Sequence, residues 1–140
     1  MPVESQGKSN SVLVIDGDIL SRHAIADYLR RCGYIVVEAV STDEAMAALS
    51  EPILSIDVIM CDVQAIGTQS AFQFANWVKQ NHPALAVKLA GDLASVATTA
   101  AELCEGGPHL ARPYEPQAVV DYIFQLRAER DRGKALSQPD

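Results

Sequence analysis

Basic residues are scarce in this chain. Eleven Lys and Arg face 18 Asp and Glu, giving a formal charge of -7 and a pI near 4.8. No Lys/Arg cluster offsets that balance locally, so the whole-protein field repels phosphate backbones and anionic lipid, and direct nucleic-acid or membrane-surface binding is not expected. Long apolar runs are missing too. None approaches the ~18 residues of a membrane span, and the polar stretch Met1 to Asn10 lacks the apolar segment of a secretory signal, so a soluble cytoplasmic protein is expected. Cysteine is sparse: Cys32, Cys61 and Cys104 lie far apart with no CxxC pair, and the first two sit inside apolar runs. They read as small buried hydrophobes rather than as disulfide partners or metal ligands, in a reducing compartment. Low-complexity segments and solenoid-type repeats are absent as well. What remains is 140 residues with 49% hydrophobic and 21% charged side chains, the composition of one globular domain.

Residues 1–11 and 131–140 have the polar composition of tails, leaving 12–130 as the domain. Within it, short apolar runs alternate with amphipathic stretches. Val12-Leu13-Val14-Ile15 is a continuous β-branched run, as in a strand buried on both faces, and it stops at Asp16-Gly17-Asp18. Helical periodicity follows over Leu20 to Cys32, ended by Gly33, and Tyr34 to Val37 reads as a second strand. Ser41 with Glu44 forms a capping-box pattern for a helix from Thr42 to about Ser50. Ile56 to Cys61 is a third strand ending at Asp62, Ser70 to Asn81 a third helix, and Ala84 to Ala90 a fourth strand. An Ala-rich helix over Leu93 to Glu105, a short fifth strand at Leu110-Ala111 and a helix from Pro116 to Arg130 complete the domain. Such βα alternation with right-handed crossovers predicts a doubly wound α/β fold, an open parallel sheet with helices on both faces.

Ligands in such sheets bind outside the carboxyl ends of the strands. There the sequence places Asp16 and Asp18 after the first strand, Asp62 after the third, Gly91-Asp92 after the fourth and Arg112 after the fifth. Carboxylates crowded at one rim repel unless a cation intervenes, and an all-oxygen set suits Mg2+ better than Zn2+. A carboxylate beside Mg2+ and a guanidinium can attack phosphorus to form an acyl phosphate. Asp62 is the best candidate nucleophile, because a central strand delivers it to the middle of the rim.

Val12-Leu13-Val14-Ile15-Asp16, the Ile56-to-Asp62 strand and Leu110-Ala111-Arg112-Pro113-Tyr114 together resemble the receiver domain of two-component response regulators, over about Ser11 to Arg127. The resemblance implies a five-stranded sheet of order 2-1-3-4-5, a phosphoacceptor at Asp62, and a sensor histidine kinase or histidine phosphotransfer protein as phosphodonor. It further implies that Asp16 helps hold Mg2+ with Asp62 and the backbone carbonyl of Gln64, that Arg112 serves as the cation at the phosphoryl group, and that Arg112-Pro113 is a cis peptide. A downstream effector protein is implied too, with the fourth helix, fifth strand and fifth helix as a face for partners or a homodimer. No output domain follows Asp140, so any DNA-binding or enzymatic effector is expected on another chain or outside this sequence, and the expectation for the domain itself is a single-domain, non-enzymatic regulator.

Several positions depart from the family. Gly17 stands where a second acidic ligand is usual, Ala90 or Gly91 where a Ser or Thr is usual, and Arg112 where a Lys is usual. His109 takes the place of the aromatic switch residue. The site reads as degenerate, with weakened metal binding and slowed phosphotransfer. Asp18 is expected to cap the first helix rather than bind metal. Two alternatives stay open: a pseudo-receiver that acts only as an interaction module, and a haloacid-dehalogenase-like phosphatase in which Asp16 is the nucleophile and Asp18 the acid/base.

Overall fold

A computed structural model describes residues 11–51, 53–107 and 113–137 of the chain. Among these, four strands and five helices alternate: β1 (Ser11–Ile15), α1 (Ile19–Arg31), β2 (Ile35–Ala39), α2 (Thr42–Leu49), β3 (Val58–Asp62), α3 (Ala71–Asn81), β4 (Ala86–Ala90), α4 (Leu93–Gly106) and α5 (Pro116–Ser137). All strand pairs are parallel, in the order β2-β1-β3-β4. That is the expected doubly wound α/β arrangement. The expected fifth strand at Leu110-Ala111, together with His109 and Arg112, lies outside the described residues, and so does any statement on the Arg112-Pro113 peptide.

β1 is buried along its whole length, which explains its unbroken apolar run. Its side chains alternate between two cores. Val12 and Val14 join Val58 and Met60 beneath α1, α4 and α5, while Leu13 and Ile15 join Ile59 and Cys61 beneath α2 and α3. Caps set the helix starts: Asp18 for α1, Ser41 for α2, Asp92 for α4, and Ser70 with Gln73 in a full capping box for α3. At Ser41 only half the expected box forms, because the Glu44 carboxylate accepts from the Val40 N–H instead. Gly33, at φ 100, turns the chain out of α1 in the left-handed region that glycine tolerates best.

Two expectations change. Cys32 and Cys104 are not free hydrophobes: they form a disulfide between the ends of α1 and α4, with Cα atoms 5.4 Å apart and both residues fully buried. The pairing spans 72 residues, so no spacing pattern announces it. It also removes the cysteine-based case for a reducing compartment. Cys61 is the free, buried thiol, as expected. The second change is at the C-terminal end, where α5 runs on to Ser137 rather than fraying after Arg130. The extension carries Arg132, Lys134, Ala135 and Leu136, all good helix formers, although Gly133 interrupts them.

Candidate functional site

The carboxyl ends of β1, β3 and β4 open into one cleft of about 280 Å³, lined by Asp16, Asp18, Asp62, Gln64, Asp92 and Arg127 among others. The β1–β3 register sets Ile15 beside Cys61, so Asp16 and Asp62 leave the sheet side by side. Asp62 is the last residue of β3 and stands opposite Ala90. The structure therefore brings Asp16, Asp62 and Gln64 together.

The loops that carry these residues are tied down locally. One Asp16 carboxylate oxygen accepts the Asp18 N–H at 2.9 Å, and an Asp62 oxygen accepts the Gln64 N–H at 3.1 Å. Arg22 donates to the Asp16 carbonyl at 3.1 Å and to Glu38 at 3.0 Å, fixing the β1–α1 turn against β2. After β3 the chain is pinned to the start of α2, where Thr42 N–H donates to the Ile66 carbonyl at 2.8 Å. Gly67, at φ 140, sits so close to Thr42 that any Cβ would collide with its hydroxyl oxygen. This contact holds the loop after the candidate nucleophile close to the domain.

Charge in the cleft is unevenly distributed. Burial pushes the Asp16 pKa up and the negative charges of Asp62 and Asp18 add to this, while the Asp18 N–H and the Arg127 charge pull it down. Asp18 behaves oppositely. Burial disfavours its charge, but hydrogen bonds from Ser21 and Arg127, with the Arg127 charge, hold its pKa at about 2. Cys61, behind the acidic pair, is pushed up to about 12 by burial and by Asp62 and Asp16, so its thiol is unreactive at neutral pH.

Sequence reasoning missed Arg127 and Arg130. Arg127 donates to Asp18 Oδ2 at 2.9 Å and to the Ser21 hydroxyl, and Arg130 reaches Asp18 Oδ1 at 3.3 Å. Nothing in the local pattern signals a partner 109 residues away. Asp18 caps α1, accepting from the Leu20 N–H, as expected.

Asp16, Asp62 and the Gln64 carbonyl are an all-oxygen set of the kind that could hold a hydrated Mg2+. Among the described residues no three His, Cys, Asp or Glu side chains come together to hold a metal ion. Two carboxylates, Asp16 and Asp62, remain with Gln64 beside them, and Mg2+ is commonly bound through one or two carboxylates and several waters. At the β4 end, neither Ala90 nor Gly91 offers a side-chain donor. A larger cleft of about 400 Å³ between α1 and α5 is lined by Tyr28, Arg31, Tyr114 and Tyr122, with Asp27 as its carboxylate. It lacks the converging acidic groups of the strand-end cleft.

Solved structures provide the external comparison. A response regulator receiver domain protein from Clostridium thermocellum superposes with a TM-score of 0.54 at 27% identity, covering 91% of this chain and 98% of that one. The protein has a response regulator receiver fold. A CheY-like receiver domain protein from Methanospirillum hungatei JF-1 matches with a TM-score of 0.55 at 14% identity, over 90% of this chain and 99% of that chain. The chemotaxis response regulator CheY4 of Vibrio cholerae matches with a TM-score of 0.53 at 22% identity, over 84% and 98%. No protein-family model and no curated protein matches the chain. No helix among the described residues is long and apolar enough to cross a membrane.

Proposed function

We propose that this receiver is a cytoplasmic, non-enzymatic signalling module that accepts a phosphoryl group on Asp62 from a phosphohistidine of a sensor histidine kinase or histidine phosphotransfer protein. The observation that carries this reading is the position of Asp62, at the end of the central β3 and beside Asp16 in the strand-end cleft of a receiver fold. In the transfer an Asp62 carboxylate oxygen forms a bond to phosphorus as the bond from phosphorus to the imidazole nitrogen breaks. The imidazole leaves with the bonding pair, and Asp62 becomes an acyl phosphate. Asp16, Asp62 and the Gln64 carbonyl are the groups that would hold Mg2+, which when bound supplies positive charge to the phosphoryl oxygens. The hydrogen-bonded turn at Asp16 would hold that carboxylate in place beside Asp62 before the donor arrives.

The test is incubation with acetyl phosphate and Mg2+ followed by intact mass. One phosphoryl adduct is expected, absent from D62N. No adduct in the wild type would favour the pseudo-receiver reading. That second reading draws support from Gly17, the commitment of Asp18 to Arg127, and the missing hydroxyl at Ala90 and Gly91. An adduct lost only in D16N would favour the phosphatase reading. Asp18 speaks against it, since a carboxyl with a pKa of about 2 carries no proton to donate at neutral pH.

A further inference from the structure

The cleft over Asp62 contains a cation that neither the strand ends nor the expected Mg2+ accounts for. Arg127 projects from α5 into the lining of the cleft that holds Asp16 and Asp62. Its guanidinium is fixed there by two bonds to Asp18 Oδ2, at 3.1 Å from Nε and 2.9 Å from a terminal nitrogen, and by a third to Ser21. Asp18 itself is held by the α1 cap and by the Ser21 hydroxyl at 2.7 Å, so the anchor is preformed. With Gly17 contributing no carboxylate, the acidic turn of this receiver does not gather a second metal ligand. It gathers a guanidinium.

We infer that Arg127 is a resident cation of the Asp62 cleft, positioned by Asp18, and that it serves the charge of the phosphoryl oxygens in place of part of what a divalent ion would supply. Two consequences follow from charge alone. A fixed positive charge beside Asp16 and Asp62 repels Mg2+ and weakens its binding. The same charge, on a planar donor fork suited to phosphate geometry, attracts the tetrahedral oxyanion formed on Asp62. With a side-chain exposure of 34%, Arg127 faces the cleft's solvent, where a new anion would compete with Asp18 for its guanidinium.

The second consequence rests on the phosphoacceptor reading; the first does not, which separates the two failures. Mg2+ titrations of wild type, R127Q and R127K, followed by amide chemical shifts of Asp62 and Gly91, test the first. R127Q is expected to bind Mg2+ about fivefold to tenfold more tightly than wild type, and R127K, which keeps the charge, to remain within about twofold of it. Equal Mg2+ affinity in all three overturns the inference, and so does a parallel change in both variants, which would report a structural role only. The adduct test is then run with acetyl phosphate in EDTA. Wild type is expected to retain measurable adduct where R127Q loses it. Loss in both, with normal labelling in Mg2+, would overturn the oxyanion role while leaving Asp62 as the acceptor, whereas no adduct under any condition would overturn the phosphoacceptor reading itself.

Discussion

The two faces of the sheet are held by different physics. Under α2 and α3 the packed layer is apolar, Leu13, Ile15, Ile59 and Cys61 meeting Ala71, Phe74 and Val78, and the directional bonds run from the start of α2 to the loop after β3 through Thr42 and Asp43 rather than between the helices. Under α1, α4 and α5 the apolar layer persists, but it is overlaid with directional links. Among them are the Cys32–Cys104 disulfide, the Tyr28 hydroxyl on the Tyr114 carbonyl at 3.0 Å, the Tyr34 hydroxyl on the Leu103 carbonyl at 2.6 Å, and Arg127 on Asp18. Non-directional packing tolerates sliding, whereas bonds between named atoms fix how helices sit on one another. Among the described residues, the cleft draws its acidic floor from strands shared by both faces and its lining cation, Arg127, from the linked face. Under the proposed function, Arg127 would be the link between Asp62 and α5.

Breaking each face in turn sharpens this contrast. On the apolar face, F74A should cost the most, about 3–5 kcal/mol, because Phe74 is fully buried and its removal leaves a cavity. Urea denaturation would read this as a large drop in midpoint at constant slope. On the linked face, reducing the disulfide or making C32S/C104S should cost about 2–4 kcal/mol, since the bridge closes a long loop of the unfolded chain. Equal stability with and without reductant would show that the bridge contributes little.

Smaller effects belong to the cleft. Asp16 has a raised folded pKa, so its ionised form opposes folding, and that penalty is present above the folded pKa and relieved as pH falls through it. D16N is accordingly expected to raise the melting temperature at pH 7 by a few degrees, and a lower value would contradict the assigned burial. Asp18 has the opposite sign. Its folded pKa of about 2, below the ordinary carboxylate value of 3.8, contributes stability that is present above the unfolded pKa and lost as pH falls through the folded one. D18N keeps a competent helix cap, so it should flatten the stability profile between roughly pH 4 and pH 2 by about 1 kcal/mol, after allowance for solvent screening. The smallest structural change is G17D. A Cβ there meets only the Val40 carbonyl at 3.7 Å and Ile66 at 4.0 Å, so the fold should accept it, and Mg2+ binding measured by calorimetry should tighten.

The sheet was legible because β1 and β3 are buried on both faces and must be apolar at consecutive positions, and because Asp18, Ser41 and Ser70 are cap residues standing immediately before periodic helices. Strand ends were less legible. β3 begins at Val58 rather than Ile56; just before it, Asp57 is tied to Ser11 by its N–H on the Ser11 carbonyl and by its carboxylate, which accepts from the Ser11 N–H and hydroxyl. Within the site, Asp16 and Asp62 could be found because each ends a central strand. Arg127, Arg22 and Glu38 could not, because their partners lie on other elements and no local period encodes them. The Cys32–Cys104 pair was hidden for the same reason.

The central claim is that Asp62 accepts the phosphoryl group. After treatment with acetyl phosphate and Mg2+, borohydride reduction converts an aspartyl phosphate to homoserine, and tandem mass spectrometry of the digested protein locates it. Homoserine at position 62 and at no other carboxylate is the expected result. Homoserine at Asp16, or unmodified aspartate at both positions, would contradict the account.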